Sequence, residues 1–185
     1  MSLDKLRKLL ATDITPNIED HTTKHSAVLI VIYGTQYSLI MTEKPKTMEL
    51  HAGEISFPGG KISSHDSDLL DTAIRETREE ISLHLSKEDV IGQLKPVTTL
   101  NSGFTILPFI AILDHMSDLQ PNSEVQEILR IPAIPFLQTI SIDTDPYHHS
   151  ISEMYTLSYQ SKIVWGASAR ILKQMADIFA QNKLI

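Results

Sequence analysis

The apolar positions of the chain fall into two kinds of run. Near the start, Leu3, Leu6, Leu9 and Leu10 recur at helical spacing, so residues 3–11 predict a short amphipathic helix. Asp13 to Thr23 is polar, contains Pro16 and reads as a loop. Ser26 to Tyr33 is a continuous, β-branched apolar run, which suits a buried strand. Gly34-Thr35 makes a turn and Tyr37 to Thr42 returns, so residues 26–42 predict a hairpin. Glu43 to Leu50 is charged and carries Pro45, a loop. Ile55 to Phe57 is a short strand running into a tight turn at Pro58-Gly59-Gly60, followed by loop over Ile62 to His65. Leu69, Leu70, Ala73, Ile74, Thr77 and Ile81 then keep helical period, which predicts a helix over about 67–81 with Asp66 or Ser67 as its cap. Residues 90–100 read as strand interrupted at Gly92 and Pro96, Phe104 to Leu113 as an apolar strand, and Asp114 to Ser123 as a polar loop. Glu124 to Ile131 reads as strand, Pro132 to Ile140 as a short helix and His148 to Val164 as a second hairpin. Ala167 to Ala180 is strongly periodic, with Ile171, Leu172, Met175, Ile178 and Phe179 on one side. Strands mixed with few helices predict an α+β or layered α/β/α fold rather than a regular βαβ array.

Length and composition narrow this further. At 185 residues the chain predicts one domain, with residues 1–24 as an N-terminal helix and loop and 25–185 as the core. Cysteine is absent, which excludes a disulfide framework and any thiolate site and fits a protein of the cytoplasm. No apolar run approaches the ~18–20 residues of a membrane span, and the N-terminus lacks a signal-peptide layout. The formal net charge of −7 argues against a general nucleic-acid-binding surface. An anionic substrate would need local cations or a bound metal to offset that field.

The candidate chemistry lies in Arg75-Glu76-Thr77-Arg78-Glu79-Glu80. On a helix, Glu76, Glu79 and Glu80 share one face. Such a run is ordinarily a solvated face, and Arg75 reaches Glu79 at i+4. It is equally the oxygen-rich surface that a hard divalent cation requires. Gly59-Gly60 tips the balance, because paired glycines permit close backbone approach and could bring a main-chain carbonyl to the same place. Lys44 and Lys61 are candidate phosphate contacts or plain solvated lysines. Of the eight histidines, no His-x3-His pair falls on a predicted helix, and adjacent His148-His149 point apart, so a histidine metal site is disfavoured. Trp165 and Phe179 read as core.

The stretch GKISSHDSDLLDTAIRETREEISL, Gly60 to Leu83, resembles the Nudix box. The core Arg75-Glu76-x-x-Glu79-Glu80 matches, Asp66 fills the upstream acidic position, and the spacing from Gly60 to Arg75 is one residue longer than the general pattern. Thr77 replaces an apolar residue, and Ser82 stands where the pattern has glycine, at a helix C-terminus that favours left-handed geometry. The preceding segment LIMTEKPKTMELHAGEISFPGG is similar to the one in coenzyme A diphosphatases of that family, with Lys44 and Glu49 at the positions of two arginines. Thr72-Ala73, Gly103-Phe104 with Pro108, Glu124-Val125 and Trp165-Gly166 extend the resemblance over roughly residues 25–180.

The resemblance implies a mixed β-sheet sandwiched between helices and a Mg²⁺- or Mn²⁺-dependent diphosphatase. It implies Glu76 and Glu80 as metal ligands, with Glu79 joining and the Gly60 carbonyl completing the set. Arg75 would orient the glutamates, with Asp71, at i−4, as its structural partner. Glu124 is the candidate general base outside the box, its alternative being a surface glutamate at a strand start. His51 precedes the glycine turn and is a candidate for shaping the substrate site. The implied partner is a small nucleotide-type molecule, with no nucleic acid and no membrane, and the family-level assembly is a homodimer. Coenzyme A leads as substrate, ADP-ribose or another nucleotide sugar is the alternative, and a silent nucleotide-binding module is the alternative of another class. A Nudix-fold isomerase would be expected to bring a cysteine.

Overall fold

The computed structural model describes residues 2–19, 22–48, 52–99, 102–144 and 154–185. The elements, in chain order, are α1 (Leu3–Leu10), β1 (Lys24–Tyr33), β2 (Ser38–Glu43), β3 (Ile55–Ser56), β4 (Gly59–Lys61) and α2 (Leu69–Ile81). After a 3₁₀ turn at Lys87–Asp89 come β5 (Val90–Gln93), β6 (Val97–Thr98), β7 (Phe104–Leu113), β8 (Glu127–Pro132) and α3 (Ala133–Leu137). The chain ends with β9 (Ser141–Ile142), β10 (Tyr155–Tyr159), β11 (Lys162–Val164) and α4 (Gly166–Gln181).

The two long apolar runs lie side by side. β1 and β7 pair in parallel from Lys24↔Phe104 to Tyr33↔Leu113, at the centre of a mixed sheet ordered β3-β2-β1-β7-β5. β4 adds to β1, β6 to β7 and β8 to β2, all antiparallel. Because side chains alternate along a strand, β1 feeds two cores. Ala27, Leu29 and Val31 pack with Leu69, Leu70, Ala73 and Ile81 of α2. Ile30 and Ile32 pack on the opposite face with Leu6 and Leu10 of α1 and with Ile171, Leu172, Met175 and Phe179 of α4. This is the layered α/β/α arrangement expected of the sequence. No helix among the described residues is long and apolar enough to cross a membrane.

Several local expectations are corrected. Gly59-Gly60 is not a tight turn but part of β4, paired Val28↔Gly59 and Ala27↔Gly60. The absence of side chains permits this. A Cβ on Gly59 would lie 2.2 Å from the Ala27 carbonyl oxygen. α2 begins two residues later than predicted, because neither Asp66 nor Ser67 is free to cap it. Asp66 binds Arg75 and Ser67 donates to Asp71, so Asp68 becomes the N-cap and accepts the Asp71 amide at 2.8 Å. Its C-cap, Ser82, is left-handed at φ 58°. β8 starts at Glu127 rather than Glu124, since the Val125 amide bonds back to Asn122 in a turn. β9 and the 3₁₀ turn had no sequence signal strong enough to predict them. In the predicted second hairpin, β10 and β11 pair through Leu157↔Val164, whereas His148-His149 lie outside the described residues.

An ion pair ties this hairpin to the main sheet. Glu43 and Glu127 are direct cross-strand partners on β2 and β8, a repulsive placement by itself. Lys162 of β11 bonds the buried Glu43 carboxylate and lies 3.0 Å from Glu127. Lys162→Met leaves Glu43 buried without its cation. We expect a loss of roughly 2 kcal/mol, below the usual figure for a fully buried pair because the lysine is partly solvated, read as a lower melting temperature.

Candidate active site

Two carboxylates of α2 meet the glycine strand. Glu76 lies directly over Gly60, where an added Cβ would sit 2.4 Å from its carboxyl carbon. One turn on, Glu80 accepts the Gly59 amide at 3.3 Å. The side-chain alternation of β1 fixes this meeting. Gly60 pairs with Ala27, whose side chain faces α2, so the Gly60 Cα faces the same helix.

Arg75 fixes the approach. Its Nε and Nη2 donate to the two oxygens of Asp66 at 2.8 and 2.9 Å. Nη1 donates to Glu76 at 2.8 Å and to Glu79 at 3.1 Å, and Nη2 also reaches the Lys61 carbonyl at 3.3 Å. One guanidinium therefore ties the loop before α2, two glutamates of α2 and the end of β4. Asp66 also accepts the Ser63 amide and the Thr72 hydroxyl. The Arg75 guanidinium holds its carboxyl well below the usual carboxylate range, against the opposing effect of burial. Arg75 is itself held as a cation by Asp66. The partner expected from spacing, Asp71, is engaged elsewhere. It pairs with Lys87 at 2.6 Å, which lowers its pKa, and bonds Ser67. The signal for Asp66 was its place in the motif, but helical spacing could not show a loop folding back.

Burial disfavours the charged forms of Glu80 and Glu76. Glu80 is only 4% exposed, and desolvation pushes its pKa up to about 7, against the Lys44 cation at 3.9 Å and the Gly59 amide. Glu76 is raised as well, by burial first, with Arg75 opposing. The charge of Glu124 acts in the same direction on both. Glu124 is exposed, on a loop docked to the end of α2. The Gln120 and Asn122 amides take up the carbonyls of Ile81 and Glu80 at 3.1 and 2.9 Å, and the Glu124 amide donates to the Asn122 side chain. Glu79 is half exposed on the rim.

The other face of β4 borders a cleft of about 340 Å³. Lys44, Gly59, Gly60 and Lys61 are shared between the cleft and the glutamate side, while Glu76, Glu79 and Glu80 do not line it. Its walls include Val28, Phe57, Phe104, Met154 and Arg170. Trp165 lines it too, half-buried, so the expectation that it is core is corrected. It precedes α4 as its N-cap, outside the helical period that places Phe179 in the core. Lys61 is exposed and its ammonium sits 5.1 Å from the Phe104 ring centroid. His51 and Glu49 lie outside the described residues.

Among the described residues, no three His, Asp or Glu side chains already converge as a metal-coordinating set. The donor chemistry nevertheless suits a hard divalent cation. Glu80 is a buried carboxylate whose ionised form is disfavoured, with Glu76 and Glu124 adding repulsion that a cation would relieve.

A family model described as "NUDIX domain" matches residues 23–138. The protein of Yersinia enterocolitica named "Uncharacterized Nudix hydrolase NudL" is 31% identical over 159 residues, covering 83% of this chain and 80% of its own length. Among solved structures, a MutT/nudix family protein from Enterococcus faecalis matches with a TM-score of 0.58 at 12% identity, over 97% of this chain and 67% of that one. The NUDIX domain of Shewanella oneidensis NrtR, solved with ADP ribose, matches with a TM-score of 0.52 at 16% identity, over 64% of this chain and 79% of that one.

Two outcomes are expected from this geometry. Gly60→Ala forces Glu76 away, so activity falls by roughly 100-fold, with a stability loss of about 1–3 kcal/mol, measured by steady-state kinetics and thermal melting. Because folding raises the pKa of Glu80, the metal-free folded state binds the extra proton. This group's contribution to stability therefore falls as pH rises from about 4.5 through about 7, by up to roughly 3 kcal/mol. Melting of the wild type and of Glu80→Gln between pH 5 and pH 8 should show a steeper slope in the wild type, the variant keeping only the smaller contribution of Glu76.

Proposed function

The chain belongs to the NUDIX family and is a hydrolase of pyrophosphate bonds, and we propose that it cleaves the diphosphate of a nucleoside diphosphate derivative, coenzyme A or a related acyl-CoA first, with Mg²⁺ or Mn²⁺. The observation that carries this reading is the meeting of Glu76 and the buried Glu80 with Gly60 and Gly59, at a strand whose other face borders the cleft.

Glu76 and Glu80 would hold the divalent ion, with Glu79 joining from the rim and the Gly60 carbonyl as a main-chain donor. The ion supplies charge neutralisation for the diphosphate and activation of water. Arg75, saturated by Asp66 and the glutamates, orients Glu76 and Glu79 and leaves the substrate to other groups. Lys44 stands between Glu80 and the cleft, where its cation meets a phosphate. Glu124, exposed on the loop anchored to the Glu80 carbonyl, accepts the proton of the attacking water at its carboxylate.

A second reading, ADP-ribose or another nucleotide sugar, is favoured by Lys44. The coenzyme A branch has a bidentate arginine there, and a lysine grips phosphate only as a point charge. A silent binding module is disfavoured, because a pure binder gains nothing from burying Glu80 beside Glu76. The test is a panel of coenzyme A, ADP-ribose, diadenosine polyphosphates and NADH, with products resolved by chromatography. We expect adenosine 3′,5′-bisphosphate and phosphopantetheine from coenzyme A, no turnover after chelation, and a loss of kcat of roughly 100-fold or more in a folded Glu80→Gln. Equal activity with and without chelator would sink the metal-dependent reading.

A further inference from the structure

Two lysines share the ring of Phe104, which lines the cleft together with Lys61 while Lys24 stands just outside the lining. Lys61 lies 5.1 Å and Lys24 5.7 Å from the centroid of Phe104. The sheet register puts all three on one face. Lys24 is the β1 partner of Phe104, and Lys61 is the partner of Ser26, two residues along β1 from Lys24. Both lysines are exposed, and neither forms an ion pair with a described residue. Like charges at diagonal positions on one sheet face repel, and a half-buried phenylalanine relieves that only through cation–π attraction. In a chain of net charge −7, this is a local concentration of positive charge on the cleft side of β4. The hydroxyls of Thr99 and Ser102, 2.7 Å apart, line the same part of the cleft.

We propose that Lys24 and Lys61, carried over Phe104, form a subsite for a phosphomonoester on the nucleotide, separate from the diphosphate that is cleaved. The inference rests on the hydrolase reading for the identity of the ligand as a substrate. Two ammonium groups match a group carrying nearly two negative charges, which a phosphomonoester does and each diphosphate oxygen cluster held at the glutamates need not. Position supports the assignment. Lys61 follows Gly60 directly, and successive residues of a strand face opposite sides. Gly60 therefore looks toward Glu76 while Lys61 looks into the cleft. A nucleotide with its diphosphate at the glutamates and its nucleoside in the cleft meets Lys61 as it passes β4. The subsite selects nucleotides with an additional phosphate on the ribose over their counterparts without one.

The test measures binding apart from turnover. The full chain, without divalent ion, is titrated calorimetrically with AMP, adenosine 2′,5′-bisphosphate and adenosine 3′,5′-bisphosphate. The expected result is at least ~10-fold tighter binding of one bisphosphate than of AMP. Lys24→Met and Lys61→Met each reduce that preference several-fold, and Lys24→Arg keeps it. Melting temperatures stay at the wild-type value, because both side chains are exposed. Equal affinity of the wild type for AMP and both bisphosphates, or a preference that survives both methionine variants, overturns the proposal. Inorganic phosphate at the same concentration should not displace the bisphosphate; displacement would assign the lysines to free phosphate and overturn it as well. A lysine-dependent preference in a protein that turns over no diphosphate would uphold the subsite while the hydrolase reading failed.

Discussion

The arrangement of the site depends on the Arg75–Asp66 ion pair. It is bidentate, largely shielded from water and reinforced on the carboxylate side by the Ser63 amide and Thr72 hydroxyl. With two of its nitrogens committed to Asp66, the guanidinium has a fixed plane, and its remaining donor direction falls on Glu76 and Glu79. The same group bonds the Lys61 carbonyl, so the end of β4 is held to α2. Removing either partner would free a loop, a helix face and a strand end together.

A second constraint is the energetic conflict built into the helix. Burying Glu80 beside Glu76 disfavours both charges, and the fold offsets this only in part with one amide, one distant lysine and Arg75. Conflicts of this kind cluster at functional sites rather than in purely structural helices. The glycine strand is its counterpart. Gly59 and Gly60 give up side chains so that β1 and the carboxylates can approach the backbone closely. The peripheral hairpin serves the opposite wall, since Lys162 pins β11 beside Glu43 and the chain runs on at once into Trp165 and α4.

Much of this was legible in the residues. The β-branched run and the apolar run at 104–113 announced the two central strands, because their side chains can be satisfied only by burial on both faces. The periods of α2 and α4 announced amphipathic helices, and the Arg75 to Glu80 run with its glycines marked the place where the carboxylates of α2 meet β4. Ser82, in place of glycine, ends α2 in the left-handed conformation that its position in the pattern predicts. The differences share one cause. Helical spacing pairs Asp71 with Arg75, residue type places Trp165 in the core, and paired glycines predict a turn at Gly59-Gly60. Each of these rests on local sequence, whereas the deciding neighbour is distant along the chain.

The sequence by itself determined the long strands and helices, the layered architecture and the identity of the acidic helix, since these follow from side-chain period, β-branching and charge within a few residues. Tertiary structure decided which carboxylate Arg75 holds, how deeply Glu80 is buried, and that Lys24, Lys61 and Phe104 share one place. Those outcomes follow from strand register, and a shift of one residue would turn every side chain of β4 to the other face. Register is settled by the packing of the whole sheet against both helical layers, which no short stretch of the chain contains.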